Sequence, residues 1–238
     1  MPNDDMKVIA VLTRKGGAGK TTLARALISA AMRQGKRCLV LDADPQQALH
    51  RWATKLKISD PLFRIEALTT TGELAAKTDK AWEDGNTDFI IIDTLGAGGA
   101  WADDIAEASD ALVIPMMLSA DDMEITKDTY NWYVELKDRT EDPENLPSLS
   151  VVLSAVSPKP SKAESEVEQE ALANFPVIDE YFMSRKQHRD ASQTGFLHQI
   201  ARDRRKSRNP LMRHHAKYFE EALDEADAIL DQIVKATS

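Results

Sequence analysis

The feature that most constrains this chain is a series of short, strongly apolar runs, most of them uninterrupted. They are "MKVIAVL" (6–12), "RCLVLDAD" (37–44), "LFRIEAL" (62–68), "DFIIID" (88–93), "ALVIPMML" (111–118) and "LSVVLSAV" (149–156). Apolar residues that follow one another without alternation need cover on both faces, as strands of a buried parallel sheet do. Segments of helical spacing lie between them. "KTTLARALISAAMRQG" places Leu23, Ala26, Leu27, Ala30 and Ala31 on one stripe and stops at Gly35. "PQQALHRWATKL" puts Pro45 where a first helical residue is expected, and "TGELAAKTDKAWEDG" closes on Gly85. The alternation predicts an α/β fold, a doubly wound and mostly parallel sheet with helices on both faces. After "FPVID" the strand pattern fades, so the C-terminal third reads as helical. The loop at 140–148 is no linker and there is no internal repeat, so residues 1–238 read as a single domain.

Several function classes fall away at once. No run of 18 apolar residues offers a membrane-spanning helix, and "MPNDDMKV" lacks the apolar core of a secretory signal, which makes the cytoplasm the expected compartment. The single cysteine, Cys38, lies in an apolar run. It cannot close an internal disulfide or hold an iron–sulfur cluster alone, and it reads as a core side chain. The net charge of −9 argues against a generally basic nucleic-acid binder. The charge is unevenly placed, however. Residues 185–217 hold ten Lys/Arg against two acids, a balance of +8 that leaves −17 for the rest. Such asymmetry suggests a local anionic partner.

The chemistry concentrates in "TRKGGAGKTT" (13–22), between the first strand and the first helix. Gly16, Gly17, Ala18 and Gly19 allow close approach of backbone N–H groups to phosphate oxygens, and the helix that opens at Lys20 adds its positive end. Lys20 would neutralise the outer phosphates, and Thr21 would place its hydroxyl on Mg²⁺. Asp93 ends a strand where a carboxylate would hold the magnesium water shell. Asp42 and Asp44 end another strand. In a doubly wound sheet the carboxyl ends of central strands gather at one crevice, so Lys20, Thr21, Asp42, Asp44 and Asp93 are expected to converge. The loop departs from the common phosphate-loop pattern in having Arg14 where that pattern has glycine, and it carries a second lysine, Lys15.

Those residues carry a resemblance. "KGGAGKTT" is similar to the deviant Walker A motif of the ParA/MinD ATPases, "LDADPQQA" to their switch I, and "FIIIDT" to their Walker B and switch II. The resemblance implies a P-loop ATPase that dimerises with ATP between protomers. Lys15 would reach across to the partner's nucleotide and offset the like charges gathered there. It also implies that Asp44 orients the attacking water, that Asp42 contacts the magnesium shell, that Thr22 supports the α-phosphate, and that hydrolysis is slow and times the dimer. Two positions depart from that pattern: Leu95 follows the "DT" of switch II where proline is usual, and "SAVSPK" lacks the asparagine that reads adenine. ATP remains the expected nucleotide, while the means of reading its base is left open.

Within the group, "DADPQQALHRW", "PMMLSADDMEITKDTYNWYVEL" and "SRKQHRDASQTGFLH" resemble the VirC-type ATPases of T-DNA transfer. The resemblance implies non-specific DNA as a partner, a homodimer in the ATP state, and a stimulating protein such as a centromere-binding, relaxosome or cargo adaptor. Nucleoid-associated or polar placement follows. The basic segment offers Arg202, Arg204, Arg205, Lys206, Arg208 and Arg213 for phosphate contacts. The alternative for this segment is a solvated basic face that pairs with the acidic tail. His214 and His215 are adjacent and read as surface residues. Trp52, Trp101 and Trp132 read as packing residues. The tail "YFEEALDEADAILDQIVKATS" has helical apolar spacing (Phe219, Leu223, Ala226, Leu230, Ile233) but six acids and one lysine, so it is expected to pack on the body rather than dip into anionic membrane. Two further readings stay open: a MinD-like membrane-surface ATPase, and a small-molecule P-loop kinase or ligase in which Lys15 has no task.

Overall fold

The computed structural model describes residues 1–14, 17–70, 72–94 and 100–237. Along the chain come β1 (Lys7–Val11), α1 (Lys20–Arg33), β2 (Cys38–Asp42), α2 (Ala48–Lys55), β3 (Phe63–Ala67) and α3 (Gly72–Asp84). Then follow β4 (Phe89–Asp93), α4 (Ala100–Glu107), β5 (Ala111–Met117), α5 (Ala120–Arg139), β6 (Ser148–Val156) and α6 (Lys162–Asn174). β7 (Phe182–Met183), α7 (Lys186–Thr194), α8 (Leu197–Arg205) and α9 (Pro210–Lys235) complete the described elements. The strands form one sheet in the order β3-β2-β4-β1-β5-β6-β7, and the pairs are parallel. It is the doubly wound sheet that the apolar runs predict.

Side-chain alternation divides the core into two layers. Ile9 and Val11 of β1 join a cluster with Leu23 and Leu27 of α1, Trp52 of α2, and Phe219 and Leu230 of α9. Val8 and Ala10 join the opposite cluster, with Leu74 of α3, Ile105 of α4, Trp132 of α5 and Ala171 of α6. Thus α1, α2, α8 and α9 cover one face and α3 to α6 the other. Cys38 is buried in the first layer. The tail helix packs as its spacing predicts: Phe219, Leu223, Ala226, Leu230 and Ile233 are all buried. Each large apolar side chain removed from water in this way contributes roughly 1.5–3 kcal/mol.

The structure corrects two local expectations. Pro45 does not open a helix; α2 starts at Ala48. The Asp44 carboxylate accepts the Gln46 N–H at 2.8 Å, and the Asp44 carbonyl accepts the Gln47 N–H at 2.7 Å, so residues 44–47 form a turn. The second correction is that the sheet continues past "FPVID". β7 adds beside β6, and a bridge joins Val151 to Val177. Two residues are too short for a periodic pattern to show.

Candidate functional site

Three strands deliver their carboxyl ends to one place. In the sheet register Asp93 lies opposite both Val11 of β1 and Asp42 of β2, so the glycine turn after β1 and both acids meet at one level. The strand ends are tied together beyond the ladder. The Ala43 N–H donates to the Asp93 carbonyl at 2.9 Å, and the Thr94 hydroxyl donates to the Val11 carbonyl at 3.0 Å.

The turn leading into α1 needs glycine at defined points. Gly17 has φ +87° and Gly19 +88°, backbone conformations that L side chains rarely adopt. Gly19 is the N-cap of α1; a Cβ there would meet nothing within 4 Å, and no side chain caps the helix among the described residues. Such an exposed helix start is a natural anion site. Ala18 is buried beneath it. Lys20 is also buried, and burial lowers its pKa, opposed by the negative charges of Asp93 and Asp44. Thr22 is half-buried on the same turn.

The Thr21 hydroxyl donates to Asp93 Oδ2 at 2.8 Å. Asp93 Oδ1 is buried and, among the described residues, has no hydrogen-bond partner. Burial pushes the Asp93 carboxyl up to about 7, against the Thr21 hydrogen bond; the Asp42 charge adds to the rise. Asp42 is fully buried, and burial raises its pKa too. It retains some stabilisation from backbone donors: Oδ2 accepts the His50 N–H at 2.8 Å and Oδ1 the Asp44 N–H at 3.2 Å. A buried oxygen without a donor is expensive. A threonine hydroxyl, an orphaned carboxylate oxygen and a second carboxylate suit a hard cation that keeps much of its water. Among the described residues no cluster of three or more His, Cys, Asp or Glu side chains forms a cage for a metal. The fit is therefore to Mg²⁺ carried in with phosphate oxygens rather than to a metal held by protein alone.

The VirC1 family model matches residues 6–238 of this sequence. The chain belongs to the VirC1 family. Protein virC1 of Rhizobium radiobacter is 29% identical over 197 residues, covering 81% of this chain and 83% of that protein. Protein ParA of the same organism is 29% identical over 120 residues, covering 50% of this chain and 53% of that one. Among solved structures, the ATP complex of a Cyanothece McdA with an Asp-to-Ala substitution superposes with a TM-score of 0.63 at 16% identity, covering 94% of this chain and 97% of that one. The VirC1-family chain thus stands within the ParA/MinD-type P-loop ATPases, as its glycine loop and strand-end acids suggest.

Of the remaining site expectations, Lys15 and Gly16 lie outside the described residues, as does the switch II stretch from Leu95 to Gly99. Asp44 is half-buried and turned into its own loop by the Gln46 N–H. The sequence reading missed Arg25. Its Nε donates to the Thr21 carbonyl at 3.2 Å, and its guanidinium lies 5.4 Å from the centre of the Trp52 ring. Arg25 thereby joins α1 to α2, the helix that follows the Asp44 turn. The available signal was one helical turn of spacing from Thr21, with Trp52 on the next helix.

The basic segment of this VirC1-family chain is partly drawn into local pairs. Arg204 is largely withdrawn: its guanidinium sits 4.2 Å above the Phe219 ring and 4.0 Å from Asp190. Arg205 pairs with Glu220, and Arg202 lies 3.7 Å from Asp203. Arg213 donates to the carbonyls of Ser207 and Arg208, at 2.9 and 3.1 Å, and so braces the corner between α8 and α9. Lys206 and Arg208 are exposed and make no ion pair among the described residues. The pairing with the acidic tail is thus real for Arg205 and leaves these two cations unspent.

Proposed function

We propose that this single-domain chain is an ATP-switched dimer that associates with DNA without sequence preference, in DNA transfer or partition, and uses slow ATP hydrolysis as its timer. The observation that carries the reading is the Thr21–Asp93 hydrogen bond, at the level of Asp42 and beside Lys20, at the mouth of a glycine turn. That arrangement suits a nucleoside triphosphate with Mg²⁺. Thr21, Asp42 and Asp93 would hold Mg²⁺, which would offset the charge of the phosphates. The N–H groups of residues 16–19 and the start of α1 orient the phosphates. Lys20, kept among acids, supplies fixed positive charge at the outer phosphates, and Thr22 steadies the inner one. Asp44 swings from its turn to orient water, and Lys15 crosses to the mate's nucleotide, where two triphosphates face each other.

The DNA-facing charges are Lys206 and Arg208, with Arg202 beside them; Arg204, Arg205 and Arg213 shape the corner that presents them. Two copies in an ATP dimer double the contact and raise avidity. A membrane-dipping tail is not favoured, because the apolar stripe of α9 faces the core. Among the described residues no helix is long and apolar enough to cross a membrane. The protein then works in the cytoplasm, on the nucleoid or at a pole, with a partner protein that speeds hydrolysis.

The test is retention of duplex DNA in ATP and Mg²⁺ at low salt. The Lys206→Glu/Arg208→Glu variant is expected to lose retention while still dimerising with ATP; normal retention would overturn the DNA assignment. Lys15→Ala is expected to weaken ATP-dependent dimerisation, and unchanged sedimentation would remove its cross-interface role. Asp44→Ala is expected to hold the dimer in the ATP form by slowing hydrolysis, read as phosphate release.

A further inference from the structure

A groove of about 790 Å³ runs between α3 and α4. Its wall carries Met6, Leu74 and Trp82, and Trp82 is 40% exposed. Its rim is acidic. Asp79, Asp104 and Glu107 line it, and none of the three makes an ion pair among the described residues. The Thr78 hydroxyl in the groove is buried and has no hydrogen-bond partner among the described residues. A trough with an exposed tryptophan on its wall and unpaired carboxylates on its rim suits an apolar knob flanked by cations.

The same chain carries such a knob. At the α8–α9 corner Leu211 is 60% exposed, with Met212 exposed beside it, and Lys206 and Arg208 flank them unpaired. Bracing by Arg213 and the Asn209 side chain, which accepts the Leu211 N–H at 2.9 Å, holds the corner in shape. A preformed knob loses little conformational freedom on docking.

The two surfaces cannot meet within one molecule. α8 and α9 pack on the layer containing Ile9 and Val11, whereas α3 and α4 pack on the opposite layer with Val8 and Ala10. We propose that the α8–α9 corner of one copy seats in the α3–α4 groove of a second copy. Because knob and groove lie on opposite faces, the contact is head-to-tail: a joined pair still presents one open groove and one open knob, so the assembly extends rather than stopping at two. It needs neither nucleotide nor DNA. It also goes beyond the ATP dimer, whose contact would run through Lys15. Its attraction is between charges at the rim, so it weakens as salt screens them.

The test uses the full chain, free of nucleotide and DNA, in sedimentation velocity at increasing concentration. The wild type is expected to grow past dimer at roughly 0.05 M salt and to return to monomer near 1 M. The groove variant Asp79→Lys/Asp104→Lys/Glu107→Lys should associate at least about tenfold more weakly, as should the knob variant Lys206→Glu/Arg208→Glu. Mixing the two variants supplies the decisive arm. The groove variant's basic knob fits the knob variant's acidic groove, and the reversed pair also matches, so the mixture should grow although neither variant does alone. Leu211→Asp should weaken assembly with the cations intact. A wild type that stays monomeric at low salt, or a mixture as inert as its components, would overturn the proposal. Growth of the groove variant equal to wild type would assign the association to another surface and also overturn it. The neutral groove variant Asp79→Asn/Asp104→Asn/Glu107→Gln should still be retained on DNA in ATP, so failure of the DNA reading and failure of this contact appear in separate measurements.

Discussion

Asp93 is a buried carboxylate whose charge is relieved by a proton or by a cation. One oxygen has the Thr21 hydroxyl, the other has no partner among the described residues, and burial holds its pKa near 7. Because that value lies above the carboxylate's ordinary 3.8, the folded chain keeps a proton that the unfolded chain has released. The contribution of Asp93 to stability is therefore full below about pH 4 and falls away as pH rises through 7. Asp93→Asn removes the buried charge. In urea melts at pH 8 without nucleotide it is expected to be more stable than wild type by on the order of 2 kcal/mol, while Mg²⁺-dependent ATP binding weakens more than about tenfold by calorimetry. A variant less stable than wild type at pH 8 would show that the carboxylate is not a burden. Gly19 is a second case of local sacrifice. At φ +88° with open space around it, Gly19→Ala meets no clash, and its cost is conformational alone, about 1–2 kcal/mol in thermal melts.

At the level of elements, the sequence predicts the strands and central helices well because most of those strands are runs of consecutive apolar residues; β3 is the exception, alternating Arg64 and Glu66 in solvent with Phe63 and Ile65 against the body. "DFIIID" becomes β4, with every residue from Phe89 to Asp93 buried. β7 escapes because two residues have no period, and the start of α2 escapes because Pro45 stands in a turn closed by Asp44. The glycine turn before α1 and the meeting of Asp42 and Asp93 at one level were legible from glycine spacing and from acids at strand ends. Arg25 was not, since its partners are a backbone carbonyl on its own helix and a ring on the next. The basic segment shows the limit of counting charge. Ten cations read as one surface, but folding on a helix period turns Arg204 inward onto Phe219 and leaves Arg208 in solvent. Arg204→Ala is accordingly expected to cost about 1–2 kcal/mol through lost packing and cation–π contact. Arg208→Ala should stay within about 0.5 kcal/mol of wild type. Equal losses in denaturant melts would contradict the division. A smaller element-level device is the capping box at Ser161 and Glu164, which starts α6; Ser161→Ala is expected to lower stability by about 1 kcal/mol.

Across the whole molecule, a buried and a half-buried histidine join the C-terminal helices to the body, and their protonation opposes folding. His188 of α7 lies 4.4 Å from the Phe182 ring, and burial, aided by Arg185 and Arg25, lowers its pKa to about 4. His198 of α8 stacks on Phe196, 5.5 Å away. Burial lowers it to about 4 as well; Asp60 pulls the other way, while Arg202 and Arg33 reinforce the fall. Both folded-state values lie below the ordinary 6.5, so the unfolded chain takes up protons first. Their stabilisation is complete above pH 6.5 and is lost as pH falls toward 4. From pH 6.5 to 5 each loses on the order of 2 kcal/mol, with the half-buried His198 at the lower end. Asp93 works in the opposite direction over much of that range, so the two terms hide one another in the wild type. In an Asp93→Asn background the histidine term stands alone, and urea stability should fall steeply between pH 7.5 and 5. Trp52 fluorescence is the apt probe, because that ring packs edge-on against Phe196 at 5.3 Å, beside His198. Adding His188→Gln and His198→Gln should flatten the slope. If the slope survives both changes, acid sensitivity resides elsewhere, and the C-terminal helices are held to α1 by apolar burial with no proton-dependent part.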